Sequence, residues 1–345
     1  MRAEPLRQVL VRVVANGVCH SDLWSIQYGN WGSPFPMLLG HEGAGIVEAV
    51  GEGVTNVHDG DRVLLAWAMP CGTCAACTRG RPRRCAHWWD QPARIHTADG
   101  SRLIGTLSIG SLATHTVVHA AQVIRVPDAL DLRHACLLGC GASTGIGAAV
   151  NTAPVQAGDS VAVIGLGGIG LSALLGAKLA GASRLIAIDR VASKLDIARD
   201  LGATDVIDAG VDDAVTAVRS LTDAGVDVAF EATGQALVVS QAVAMLARAG
   251  TAVAIGVPAP DSTVTLDWGE DTSGAAYPAK VTLKVTDGGD PLPEDFTAWL
   301  AAAETGDLDL GALVTTVAPF TDDALAEAFR TMLAGEVVRT VIEFE

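Results

Sequence analysis

The chain has 345 residues, half of them hydrophobic, with 23 Lys and Arg against 39 Asp and Glu for a net charge of −16. That length suggests two domains with sizeable cores, and the acidic balance leaves no electrostatic footprint for nucleic acid or an anionic membrane surface. The first eight residues show no apolar core of a secretory signal. The seven cysteines (19, 71, 74, 77, 85, 136 and 140) are odd in number and clustered, which argues for metal ligation in a cytoplasmic compartment rather than for disulfides.

In chain order, residues 9–15 (Val-Leu-Val-Arg-Val-Val-Ala) read as a strand, followed by Gly17-Val-Cys19-His20-Ser21-Asp22. Leu39-Gly40-His41-Glu42-Gly43 has glycines that suggest sharp turns around His41, and Gly60-Asp61-Arg62-Val63 is a turn feeding a strand. Several short strands with Gly turns over residues 1–125 predict an all-β, barrel-like unit. Cys71-Gly-Thr-Cys74-Ala-Ala-Cys77 with Cys85 puts four soft thiolates in one short loop. Tetrahedral zinc takes that set, and four protein ligands close the site and make it structural; an iron–sulfur cluster makes similar demands. Residues 87–101 read as a surface loop. Thr116–Val126 resumes strand character until Pro127. Asp131–Leu138 reads as a helix carrying Cys136 as a small buried hydrophobe.

From Val155 the pattern alternates between strand and helix. Strands are expected at Ser160–Ile164, Arg184–Ile188, Asp205–Ile207, Asp227–Glu231, Thr251–Gly256 and Val281–Val285, with helices over 169–180, 192–201, 212–223 and 236–248. Such alternation means a doubly wound parallel sheet, a Rossmann-type α/β domain. The apolar run Val161–Ala177 has the hydropathy of a membrane span but carries five glycines and divides into strand, turn and helix. Its Gly165-x-Gly167-x-x-Gly170 follows a strand and opens a helix, the context in which this pattern binds a dinucleotide. The first glycine allows the tight turn, the second a close approach of pyrophosphate, and the third helix–strand packing. The free N–H groups at the helix start attract phosphates. Asp189 closes the second strand, where a carboxylate accepts from ribose hydroxyls and repels a 2′-phosphate; this favours NAD over NADP, with Arg190 next door pulling the other way. Cys140, among the glycines just upstream, reads as a metal ligand beside that cofactor site. Further on, 295–304 reads as a helix, Leu310–Val317 as a strand, Asp322–Ala334 as a helix and 336–344 as a final strand.

Taken together, Cys19-His-Ser-Asp, Gly40-His-Glu, Gly60-Asp-Arg-Val, the four-cysteine loop, Gly139-Cys-Gly-Ala-Ser-Thr-Gly, the glycine loop with Asp189 and the terminal Arg339-Thr-Val resemble the medium-chain, zinc-dependent alcohol dehydrogenases. The resemblance runs over residues 9–345. It implies a GroES-like catalytic domain (1–141 and 287–345) and a Rossmann domain (142–286). It implies a catalytic zinc held by Cys19, His41 and Cys140 besides the structural zinc of Cys71, Cys74, Cys77 and Cys85, and hydride transfer from an alcohol to NAD with zinc as Lewis acid. Two thiolates and an imidazole suit such an open site. By the same resemblance Glu42 and Asp22 tune the metal, Ser21 takes the alcohol proton, and His20 and Arg339 neighbour the pyrophosphate. Thr144 packs behind the nicotinamide, Lys194 contacts ribose, and Gly168, Ile169 and Val257 join Gly165, Gly167 and Gly170 around the cofactor. Trp24 and Trp67 fall where the family lines its substrate pocket. Partners implied are a small alcohol or aldehyde and a second copy of the chain, as homodimer or homotetramer. The alternatives are a dehydrogenase of S-hydroxymethyl thiol adducts, a redox-neutral nicotinoprotein and a non-catalytic NAD-binding protein.

Three departures from the family pattern stand out. Its proton-relay histidine falls on Trp24, so the proton leaves another way. The chain starts only eight residues before the Val9 strand, which predicts missing edge strands and an exposed apolar edge near Val9–Val14. Residues 265–292 leave the pattern of a Gly-rich segment that contacts nicotinamide and builds a sheet across the dimer.

Overall fold

A computed structural model describes residues 7–29, 36–67, 69–87, 95–97, 99–267 and 279–345. The chain forms two compact units, one of residues up to Gly141 with Pro291–Glu345, the other Ala142–Asp290.

The first unit contains β1 (Gln8–Gly17), β2 (Met37–Leu38), β3 (Glu42–Val50), β4 (Arg62–Leu65), β5 (Ile95–His96), β6 (Arg102–Gly105), β7 (His115–His119) and β8 (Val123–Arg125). Its main sheet runs in the order β15-β16-β1-β3-β4-β8, with β7 also paired to β1; β15 is Val314–Pro319 and β16 is Arg339–Glu343. Apolar residues alternate along β1 and point inward. Val9, Val11 and Val13 are at most 1% exposed, each worth roughly 1.5–3 kcal/mol of burial. The exposed edge expected at Val9–Val14 is therefore not there. β3 pairs along one side of β1, from Val9↔Val50 to Gly17↔Glu42, while β7 and β16 share the other side. The strand is central because its partners come from far along the same chain. The single strand expected over Thr116–Val126 is split into β7 and β8 by a turn, in which the His119 N–H donates to Gln122 Oε1 and Ala121 N–H to His119 Nδ1.

The second unit holds β9 (Ser160–Ile164), β10 (Arg184–Asp189), β11 (Asp205–Asp208), β12 (Val226–Glu231), β13 (Leu246–Ala254) and β14 (Thr282–Val285). They form one parallel sheet ordered β11-β10-β9-β12-β13-β14, the strand sequence of a doubly wound nucleotide-binding fold. Helices at Gly168–Leu179, Ala192–Leu201, Ala214–Leu221 and Ala236–Ala244 connect the first five strands. Val161, Ala162, Val163, Ile186, Ala187 and Ile188 are fully buried, which fits parallel strands covered on both faces. The crossing back to the first unit lies at Asp290/Pro291, four residues beyond the expected 286/287. Side chains hold the intervening turn in the second unit: Asn151 Nδ2 donates to Gly289 O (3.2 Å) and Thr152 Oγ1 to Asp290 Oδ2 (2.6 Å). Among the described residues no helix is long and apolar enough to cross a membrane.

Candidate metal and cofactor sites

Three separated stretches converge at the lower end of β1. Cys19 sits at the N-cap of the helix His20–Tyr28, His41 and Glu42 lead into β3, and Cys140 follows a turn that ends the helical run from Leu132. One ligand atom from each of Cys19, His41, Glu42 and Cys140 lies within 4.8 Å of all the others, and all four residues are buried. His41 Nδ1 stands 3.3 Å from Asp22 Oδ1, which also accepts the Gly40 N–H at 2.8 Å. Both acid and imidazole are fully buried. This carboxylate fixes the ring so that Nδ1 carries its proton outward. Nε2 is left buried with no hydrogen-bond partner, inside the thiol cluster.

The electrostatics describe a nest of donors short of a cation. Contact with the Cys140 thiol draws Cys19 well below the usual thiol range and holds Cys140 well above it. Burial disfavours a charged His41, but Asp22 and Cys19 outweigh it and raise the imidazole. Burial likewise pushes Glu42 up to about 7 against the opposing pull of Arg339. Glu42 Oε1 accepts the Gly141 N–H at 3.0 Å and faces Arg339 Nη1 at 3.3 Å, while that same Nη1 donates to Val18 O at 3.1 Å. A divalent ion would replace the shared protons. An unpartnered imidazole nitrogen flanked by two thiols is a donor set that fits zinc.

The second cluster gathers Cys71, Cys74, Cys77 and Cys85 within the same 4.8 Å, all in one loop and only partly buried apart from Cys85. Backbone N–H groups of Cys71 and His87 point at Cys85 Sγ, and that of Cys74 at Cys71 Sγ, each at 3.3 Å. Cys71 is drawn down to about 6, first by the Thr73 N–H, while burial and the neighbouring Cys74 push Cys77 up to about 12. Arg83 ties this lobe to the helix Pro293–Thr305 through a two-pronged pair with Asp295, at 2.9 and 3.2 Å.

In the second unit the glycine loop has the geometry its spacing implies. Gly165 turns with φ +89°, the space where Gly167 would carry a Cβ is open, and a Cβ on Gly170 would lie 1.8 Å from Gly165 O. The helix begins at Gly168 with Gly167 as its N-cap, so free N–H groups face an open cradle that fits a pyrophosphate. Asp189 sits beside it. Its Oδ2 accepts the Leu166 N–H at 2.6 Å and its Oδ1 those of Arg190 and Val191 at 2.7 and 3.0 Å. Asp189 therefore braces the loop.

Comparison with known proteins now bears on these sites. The model of the alcohol dehydrogenase GroES-like domain matches residues 5–128, and that of the zinc-binding dehydrogenase matches residues 168–302. S-(hydroxymethyl)glutathione dehydrogenase from Escherichia coli O157:H7 is 35% identical, over 98% of this chain and 92% of its own. The chain belongs to the medium-chain, zinc-dependent alcohol dehydrogenase family. Among solved structures, an alcohol dehydrogenase zinc-binding domain protein from Burkholderia ambifaria aligns with a TM-score of 0.90 at 32% identity. Benzyl alcohol dehydrogenase from Acinetobacter calcoaceticus aligns at 0.88 and 32%. Each covers all of this chain and 94% of the other. The fold is thus a GroES-like unit joined to a Rossmann unit, and the chain is a zinc-type, nicotinamide-dependent oxidoreductase.

The remaining residues singled out from the sequence fall as follows in this dehydrogenase. Ser21 Oγ lies 3.7 Å from Cys19 Sγ, and His20 is exposed beside it. Arg339 is 6% exposed and faces Glu42, not open solvent. Trp67 is 5% exposed and packs in one apolar cluster with Cys19, Cys140, Ile109 and Leu65. Trp24 packs at a tilt against Tyr28 with ring centres 5.2 Å apart. In the second unit Thr144 is buried, Ile169 and Lys194 are half-buried, and Val257 is exposed. Part of the divergent segment, residues 268–278, lies outside the described residues. Glu231, a fully buried carboxylate closing β12, was not singled out from the sequence; the signal was an acid ending the strand Val-Asp-Val-Ala-Phe-Glu, just before Ala-Thr-Gly.

Proposed function

We propose that this protein oxidises a bulky or aryl alcohol to its aldehyde or ketone with NAD, using one catalytic and one structural zinc per chain. The observation that carries the reading is the buried, unpartnered Nε2 of His41, held by Asp22 among Cys19, Cys140 and Glu42. Zinc held there by Cys19, His41 and Cys140 would supply Lewis acidity toward an alcohol oxygen, and the nicotinamide ring would accept the hydride. The chain's own residues do the rest. Asp22 fixes the imidazole tautomer through Nδ1. Ser21, on the first turn of its helix, receives the hydroxyl proton and passes it toward solvent by way of exposed His20. Arg339 balances the Glu42 carboxylate beneath the ligands. Asp189 favours NAD by placing a carboxylate where NADP carries a phosphate.

The buried, apolar Trp67 packed with Cys19 and Cys140 supports an uncharged alcohol. A second reading, the S-hydroxymethyl thiol adduct, has the name of the Escherichia coli relative behind it. A glutathione adduct carries carboxylates, and among the described residues the cation beside the ligands, Arg339, is already spent on Glu42. The β14 edge of the parallel sheet, with Val285 78% exposed, supports dimerisation by sheet extension. None of the seven cysteines is paired in a disulfide, which suits a cytoplasmic setting.

An NAD-reduction screen over primary, secondary, aryl and thiol-adduct alcohols, run beside zinc counting, tests the proposal. Highest kcat/KM on an aryl or bulky alcohol with two zinc per chain supports it. Preference for the adduct selects the second reading. No turnover of any alcohol, or a single zinc per chain, overturns the dehydrogenase assignment.

A further inference from the structure

We infer that Glu231 is a positioning residue for the nicotinamide cofactor, acting through the turn Ala232–Gly234 that supports the glycine loop. A carboxylate at 0% exposure is costly unless its oxygens are met by donors. Here one oxygen is: Glu231 Oε1 accepts the Thr233 N–H and Thr233 hydroxyl, both at 2.5 Å, and the Gly234 N–H at 2.9 Å. The other, Oε2, is buried with no hydrogen-bond partner. A half-satisfied buried acid is a poor device for stability alone, so its use is sought in what it holds. The turn meets the loop directly. Ala232 N donates to Ile164 O at 2.9 Å, just ahead of Gly165, and a Cβ on Gly165 would strike Thr233 Cγ2 at 2.6 Å. On its far side a Cβ on Gly256 would reach Gly234 N at 2.0 Å, so the turn is gripped between two strand ends.

β9, which feeds the loop, lies between β10 and β12 in the sheet. Asp189 at the end of β10 braces the loop directly, through the Leu166 N–H. Glu231 at the end of β12 braces it from the other side through its turn. The phosphate cradle is thus held by one carboxylate on each flank of β9.

The inference rests on the reading that this loop takes a nicotinamide dinucleotide. The test is calorimetric titration of NADH into zinc-loaded wild type, Glu231→Gln and Thr233→Val, with thermal melts of each. Glutamine keeps an acceptor but loses the charge that makes the three bonds strong, so NADH should bind about tenfold more weakly, with the melting temperature nearly unchanged. Valine removes one donor and keeps the Cγ2 contact, for a loss of about threefold. KM for NAD should rise with kcat at saturation unchanged. NADH affinity equal to or tighter than wild type in both variants, or melting that falls while affinity holds, would overturn the role of Glu231. A wild-type chain that binds no NADH would overturn the cofactor reading along with it.

Discussion

The loop set Cys71, Cys74, Cys77 and Cys85 and the buried set Cys19, His41, Glu42 and Cys140 both bring their ligand atoms within 4.8 Å, yet they are built from opposite materials. The loop set comes from one short stretch and uses only thiols, held by backbone N–H groups of the same loop. The buried set is drawn from three distant stretches, with Asp22 behind His41 and Arg339 facing Glu42. Four like donors close a site around a metal, whereas two thiols and one imidazole leave a position for substrate. On the proposed reading, the local thiols would serve folding and the mixed, long-range set with charged supports would serve chemistry.

The largest effect that would break this contrast comes from His41→Ala. If the buried set does the chemistry, kcat/KM falls by about a thousandfold or more, zinc per chain drops from two to one, and the melting temperature changes little. Full activity in this variant, measured beside its zinc content, would remove the assignment of roles. Cys77→Ser probes the other half. Losing one thiol of the loop should release its metal and lower the melting temperature by about 10 °C, while the folded fraction keeps near wild-type kcat at low temperature. A variant that keeps its stability and loses turnover would reverse the two roles.

Asp22→Asn sharpens the comparison at the level of a single hydrogen bond. The amide has nearly the size of the acid but no negative charge, so Nδ1 loses its charged acceptor and the ring its preferred tautomer. A loss of about 10–100-fold in metal affinity or kcat/KM is expected. Metal titration of the apoprotein separates the two. Backbone N–H groups contact the thiols of the loop, so that site's affinity should not move.

These differences also decide what the sequence could tell. The four thiols and the roles of Gly165, Gly167 and Gly170 were legible because each is settled within a few residues of chain. Six parallel strands were legible because buried strands read as apolar runs, such as Ser160–Ile164. The position of β1 was not, because its neighbours β7 and β16 lie about one hundred and more than three hundred residues on. Nor was the environment of Arg339: its motif suggested a phosphate, and only the tertiary fold sets its guanidinium 3.3 Å from Glu42. The 286/287 boundary missed by four residues because the bonds from Asn151 and Thr152 that hold 287–290 leave no mark on that segment's own composition.

The smallest effect concerns the scaffold that delivers Cys140. Asp131 caps the helix Leu132–Ala135, accepting the Arg133 N–H at 2.8 Å and facing its guanidinium Nε at 2.9 Å. The Arg133 side chain, ahead of that N–H, holds the carboxyl below its usual range. A carboxylate whose folded value is depressed contributes stability that is fully present above its unfolded value, about 3.9, and is lost as the pH falls through the folded one. Asp131→Ala should therefore cost about 1 kcal/mol near neutrality, the usual worth of such a cap, and the gap to wild type should close on acidification below about pH 4. Melts of both proteins across that range measure it. Among the described residues no such cap leads into the four-cysteine loop, so zinc retention at the two sites supplies the internal control: Asp131→Ala should loosen the buried metal slightly and leave the loop metal untouched. Equal loosening at both would mean that the cap supports the unit as a whole and not the delivery of Cys140.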